Sequence, residues 1–264
     1  MARLRHRSKF AVLTDGTRLH YVEAGAGPTL LMVPGWMGSV EYWTDQIEAL
    51  AASHRVIALD PRSHGRSEQT ADGNSIAQRG ADIWNLIERL DLAPTGIVAW
   101  SLAVADVLSM VKERGTGHVR QLILVDGPIV SWTLQPEMLQ RWMQQLRVLQ
   151  QNRPQFVEDW TKRMFKRPPD PVRLARLVKE AMKVPTNTSL AIQMDSLDFD
   201  YRETLRSLDR PTMYIGRGET PGTQFDMFTQ LLPEAPTVVF PGCGHAMFMD
   251  DPRRFNELVR EFCS

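Results

Sequence analysis

Val98-Ala99-Trp100-Ser101-Leu102-Ala103 is the stretch that decides the fold of this chain. Residues 95–100 form an apolar run and residues 102–114 carry a helical pattern, so the segment reads as strand, sharp turn and helix with Ser101 at the apex. A serine hydroxyl is a weak nucleophile until a neighbouring base takes its proton. A tight strand-to-helix turn exposes Oγ and aims the first N–H groups of the helix at the oxygen of a bound carbonyl, the geometry of a nucleophile elbow. Ala99 and Ala103 stand where the pattern G-x-S-x-G has glycines; close packing remains possible, and any left-handed backbone strain is expected on Ser101 itself. The same short string also describes a buried serine closing a core strand, so the rest of the chain has to separate the two.

Working outward, Thr29-Leu30-Leu31-Met32-Val33 is an apolar strand that stops at Pro34-Gly35-Trp36-Met37-Gly38-Ser39, a turn-rich stretch before the helical pattern 40–51. A backbone N–H from that turn, that of Trp36, would join the N–H of Leu102 as a two-donor oxyanion hole. A further buried strand, 55–59, runs into Asp60-Pro61-Arg62-Ser63-His64-Gly65-Arg66-Ser67. Another, Leu122-Ile123-Leu124-Val125, ends on Asp126-Gly127, and Gly242-Cys243-Gly244-His245 follows the last apolar strand. A loop after that strand would point His245 toward the serine.

Taken in order along the chain, these motifs resemble the α/β-hydrolase superfamily, over roughly residues 15–262. Pro34-Gly35-Trp36-Met37-Gly38 is similar to the H-G-x-x-x-G turn with Pro34 in place of histidine, and residues 60–67 are similar to the D-x-R-G-H-G-x-S loop. Within the superfamily the chain looks most like the small esterase and cofactor-free haloperoxidase-like branch. The resemblance implies a triad of Ser101, His245 and a carboxylate. It also places His64 in a loop that buttresses the Trp36 turn, a structural role.

The organisation agrees. Residues 8–24 read as an opening hairpin turning at Thr14-Asp15-Gly16-Thr17, followed by strand 29–33, helix 40–51, strand 55–59, helix 76–91, strand 95–100, helix 102–114 and strand 119–125. This alternation implies an α/β fold with a doubly wound, mainly parallel sheet and ligands at the carboxyl ends of the strands. From 129 to about 199 there are amphipathic helical stretches, 136–150, 154–165 and 171–184, before alternation resumes with strand 210–215, helix 222–232, strand 236–241 and helix 252–263. We therefore expect a core domain of residues 1–128 and 201–264 with a helical cap, 129–200, inserted after the sixth strand as a lid over the serine. Asp250-Asp251-Pro252 reads as the start of the final helix.

Composition narrows the classes. The chain has 264 residues with 31 basic and 31 acidic side chains, so it carries no net field to hold nucleic acid or an anionic membrane. No apolar stretch approaches the ~20 residues needed to span a bilayer, and the first residues lack the apolar core of a signal peptide, which leads us to expect a cytoplasmic protein. Cys243 and Cys263 fit a reducing compartment, and no His or Cys spacing resembles a metal site, so neither a metal nor an organic cofactor is expected. Monomer and homodimer both remain open.

The acid is the least determined member of the triad. In most of the superfamily it follows the seventh strand, where this chain has Gly216-Arg217-Gly218-Glu219-Thr220-Pro221. Asp126, after the sixth strand, is the position used by other members, and it is preferred here with Glu219 as the alternative. Trp100, Trp132, Trp160, Met247 and Phe248 are expected to line a pocket for an apolar or aromatic acyl group. The leading expectation is a serine hydrolase opening an ester, lactone or thioester through an acyl-serine. Two other readings are carried: a cofactor-free dioxygenase of the 3-hydroxy-4-quinolone type using a His–Asp base pair, and a non-enzymatic small-ligand-binding protein of the same fold.

Overall fold

In the computed structural model, which describes residues 6–131, 136–217 and 224–264, the apolar runs become one eight-stranded sheet. Its strands are β1 (Arg7–Val12), β2 (Arg18–Ala24), β3 (Thr29–Val33), β4 (Arg55–Leu59), β5 (Thr95–Trp100), β6 (Val119–Val125), β7 (Thr212–Gly216) and β8 (Thr237–Val239). They lie in the order β1-β2-β4-β3-β5-β6-β7-β8. The β1–β2 hairpin is antiparallel and β2 joins β4 antiparallel; from β4 onward every pairing is parallel. Parallel neighbours need crossovers, and helices covering both faces supply them, which is why β3, β5 and β6 are apolar at nearly every position.

Alternation along each strand sorts the core into two layers. Leu31, Val33, Ile57, Leu59, Ile97, Ala99, Leu122 and Leu124 face α2 (Ile76–Arg89) and α3 (Ala103–Arg114). Leu30, Met32, Val56, Ala58, Val98, Trp100, Ile123 and Val125 face α1 (Thr44–Leu50) and α11 (Pro252–Phe262). The stretch read as one helix from residue 40 begins instead as a 3-10 turn, Val40–Trp43, before α1.

Between β6 and β7 the chain runs through α4 (Pro136–Gln151), α5 (Arg153–Arg163), α6 (Pro171–Ala181), α7 (Thr186–Asp195) and α8 (Arg202–Arg206). The two crossings at the base of this segment are tied by a bridge between Val130 and Asp200 and by Ser131 N–H donating to Phe199 O and Tyr201 N–H to Ile129 O. Helix α7 has no counterpart in the sequence reading. Its buried side is built from Thr188, Ser189, Ile192 and Gln193, so the apolar periodicity that betrays a helix is missing. After β7 come α9 (Gln224–Leu231), α10 (Met247–Asp250) and α11; residues 222 and 223 of the expected helix lie outside the described residues. Asp251 caps α11 by accepting from Arg254 N–H. Among the described residues no helix is long and apolar enough to cross a membrane.

Candidate active site

The elbow is the first element of the site. Ser101 adopts φ 60°, a left-handed conformation that costs a non-glycine residue about 1–2 kcal/mol. Bonds to β6 and to the first turn of α3 hold it there, since Ser101 N–H donates 2.8 Å to Val125 O and Ser101 O accepts from Val104 N–H at 3.0 Å. Two glycines let the neighbouring chain close on this turn. A Cβ on Gly35 would sit 2.6 Å from Ser101 Cβ, and one on Gly127 would sit 2.2 Å from Ser101 O. The strain expected on Ser101 from its alanine neighbours is therefore present.

From the end of β6, Asp126 also adopts a left-handed backbone, φ 43°, with its N–H donating to Ile215 O on β7. Its carboxylate Oδ2 lies 2.7 Å from His245 Nδ1, while His245 Nε2 lies 2.8 Å from Ser101 Oγ. With Nδ1–H donated to the carboxylate, Nε2 is left as the base facing the hydroxyl. Burial pushes the Asp126 carboxyl up, yet the hydrogen bond and charge of His245 and the guanidinium of Arg217 outweigh it and hold the group below the ordinary carboxylate range. Arg217 Nε approaches Asp126 Oδ2 to 2.8 Å. Glu219, the alternative acid, lies outside the described residues.

Opposite the serine is the turn after β3. Among the described residues, neither Trp36 N–H nor Leu102 N–H donates to a protein acceptor, whereas their neighbours Met37 and Ser101 do. Met37, at φ 56°, donates 3.2 Å to His64 Nε2, and His64 Nδ1 contacts Arg62 O at 2.7 Å. Full burial, with the charge of Arg79 beside it, pulls His64 down to about 3, so it is a neutral ring with Nδ1–H donating and Nε2 accepting. His64 thus buttresses the Trp36 turn and does not approach the serine as a second base.

Several expected pocket residues lie elsewhere. Trp100, Met247 and Phe248 are closed off in the layer facing α1 and α11, at 2%, 0% and 0% exposure. Being the last residue of β5, Trp100 falls by alternation on the face opposite Ala99; it sits behind His245, donating from Nε1 to His245 O at 3.0 Å. Nearness in sequence to Ser101 and His245 is misleading here, because adjacent residues point to opposite sides. Trp100 braces the histidine from the core. Trp132 lies outside the described residues. Trp160 is on α5 with its ring 5.3 Å from that of Trp36, in an aromatic cluster with Trp142 and Phe156.

Other contributors were not legible in advance. Asp250, read as part of the final helix start, instead ends α10 and accepts from Gly244 N–H at 2.7 Å and Lys166 N–H at 2.9 Å, fixing the loop that carries His245. On α7, Ser189 O accepts from Trp36 Nε1 and Gln193 Oε1 from Trp142 Nε1. Arg217 also went unassigned, because pairing with an acid from another strand leaves no trace in local sequence.

A strained serine at a strand-to-helix turn, a histidine after the last strand and a carboxylate at the end of β6, all at the carboxyl edge of a parallel sheet, define a class of enzyme fold. The chain belongs to the alpha/beta hydrolase family, whose family model matches residues 30–258. It is 25% identical to a non-heme chloroperoxidase of Kitasatospora aureofaciens, covering 94% of this chain and 96% of that protein. A pimeloyl-[acyl-carrier protein] methyl ester esterase of Nitrosomonas europaea is 27% identical over 90% of this chain and 96% of its own length. Among solved structures, an esterase from Exiguobacterium antarcticum superposes with a TM-score of 0.88 at 20% identity, covering 97% of this chain and 99% of that one.

Proposed function

We propose that this protein is a serine hydrolase that cleaves an ester of an apolar or aromatic acyl group through an acyl-serine intermediate. The observation that carries this reading is the unbroken relay of 2.8 Å from Ser101 Oγ to His245 Nε2 and 2.7 Å from His245 Nδ1 to Asp126 Oδ2. In this scheme Ser101 Oγ attacks the carbonyl carbon as its proton passes to His245 Nε2. The oxyanion forms beside the N–H groups of Trp36 and Leu102. The imidazolium, held in place by ionised Asp126, gives its proton to the departing alkoxide. Water then attacks the acyl-serine, losing a proton to His245, and the carboxylic acid leaves as Ser101 recovers its hydrogen. Both the methyl ester esterase and the chloroperoxidase named above are compatible with a site of this kind, and the esterase name favours ester cleavage.

Acyl preference follows from the rings gathered at Trp36, the neighbour of Gly35, which packs on the elbow. The Trp36 ring meets the half-buried rings of Trp142 and Trp160 with centroids 5.6 and 5.3 Å away, so an acyl group entering beside Gly35 and Trp36 meets apolar faces. In this reading helices α4–α7 act as the cap, and no metal or organic cofactor takes part.

The decisive experiment is intact-mass analysis after exposure to a small serine-directed phosphonate. We expect one adduct on the wild type and none on Ser101→Ala, with turnover of aryl and alkyl esters falling on the order of a thousandfold or more in the variant at unchanged thermal midpoint. An adduct of equal yield on Ser101→Ala would overturn the mechanism.

A further inference from the structure

In the superfamily this chain resembles, the end of the seventh strand is the usual source of the triad acid. Here that strand end delivers a cation. Gly216 closes β7 and the next residue, Arg217, brings its Nε to 2.8 Å from Asp126 Oδ2, the same oxygen that lies 2.7 Å from His245 Nδ1. The two strand ends are adjacent, since Val125 pairs with Ile215 and Asp126 N–H donates to Ile215 O at 2.7 Å. One carboxylate oxygen is therefore shared between the base it orients and an arginine half exposed to solvent.

Resting on the serine-hydrolase reading above, we propose that Arg217 is a positioning residue for the reaction: its guanidinium holds the Asp126 carboxylate against His245 and keeps the Asp126–His245 pair from taking up an extra proton as the pH falls. The physical basis is charge and geometry together. Asp126 has a left-handed backbone and a side chain that is largely buried, so little water competes for Oδ2. A fixed cation on that oxygen opposes the charge that would otherwise make the imidazolium easier to form, and it pins the carboxylate rotamer. Among the described residues, the following charged and titratable groups flank the pair. From β7 comes Tyr214, donating its hydroxyl proton to Gly127 O, and from just beyond its end comes Arg217. From α10 comes Asp250, which is occupied by Gly244 N–H and Lys166 N–H on the far side of the histidine loop. Among these described groups Arg217 is the cation in contact with the carboxylate.

A serine site of this kind works only while its histidine can accept a proton, so the acid limb of the labelling rate reports the charge held beside the Asp126–His245 hydrogen bond. The test is the pH dependence of the phosphonate labelling rate of Ser101 in wild type, Arg217→Gln and Arg217→Lys. With Arg217→Gln we expect the acid limb to move up by about one pH unit. Labelling on the acid side of the limb should then fall about tenfold further than on the plateau above it, which loses only what the pinned carboxylate rotamer contributed. Arg217→Lys restores the charge and should bring the limb most of the way back. An unmoved limb in Arg217→Gln, or an equal displacement in Arg217→Lys, would overturn the proposal, and a variant that merely lost its fold would label slowly at every pH. Failure of the wild type to label at all would be failure of the hydrolase reading, and this proposal would fall with it.

Discussion

The strand ends and helices α4–α7 hold their residues by different means. At the strand ends the functional groups are placed by main chain: Ser101 N–H on Val125 O, Asp126 N–H on Ile215 O, and glycines at 35 and 127 where any side chain would collide with the elbow. Around helices α4–α7, placement is by side chains. Trp36 Nε1 reaches Ser189 O at 3.2 Å, Trp142 Nε1 reaches Gln193 Oε1 at 3.0 Å, and an ion pair of 2.8 Å joins Arg173 on α6 to Asp45 on α1. Main-chain hydrogen bonds survive a change of side chain, whereas a cluster of ring contacts is rebuilt by each one. For the serine hydrolase proposed above, the contrast teaches that the chemistry and the choice of acyl group should be separable.

The strongest way to break that separation is Asp126→Asn. It should lower kcat on the order of a hundredfold to ten-thousandfold by losing the tautomer that leaves Nε2 free, while the main-chain bonds keep the fold. Near wild-type turnover would move the acid elsewhere, with Glu219 the first residue to try. A smaller and more selective effect is expected from Trp160→Ala, which removes a ring 5.3 Å from Trp36. Turnover of a bulky aryl ester should drop by about tenfold in kcat/KM, and that of an acetate ester by no more than about threefold. Equal losses on both esters would show that the cap shapes the chemistry as well as the choice.

The gentlest probe concerns the layer beneath the Trp36 turn. His64 is held neutral down to about 3 against an unfolded value of 6.5. The unfolded chain therefore binds a proton in that window that the folded chain refuses, and this contribution to stability is complete above 6.5 and lost progressively as the pH falls toward 3. His64→Ala should cost about 2–3 kcal/mol at neutral pH by leaving Met37 N–H and Arg62 O without a partner. Its deficit relative to wild type should shrink on acidification, and a deficit constant with pH would show that His64 does not carry the term.

Some of this was legible in the sequence because it is local. Strands 29–33, 55–59, 95–100 and 119–125 coincide with β3, β4, β5 and β6, since a strand buried on both faces must be a short unbroken apolar run. Helix α7 escaped because its buried side is polar, and its work is done by a main-chain carbonyl and an amide that accept from tryptophans. The pocket assignment of Trp100, Met247 and Phe248 failed because proximity along the chain was taken for proximity across a sheet whose side chains alternate.

What the sequence by itself determined is the parallel scaffold, the strained turn at Ser101 and the candidate base at His245, all of which depend on residue type, period and order. Tertiary structure alone decided which described carboxylate meets His245, that Arg217 shares its oxygen, and which tryptophans gather around Trp36 and which sits behind the histidine. Those are meetings between residues far apart in the chain, and they depend on strand order and on the side of the sheet each residue faces. Neither quantity is written in any local stretch; both follow only when the whole sheet has closed.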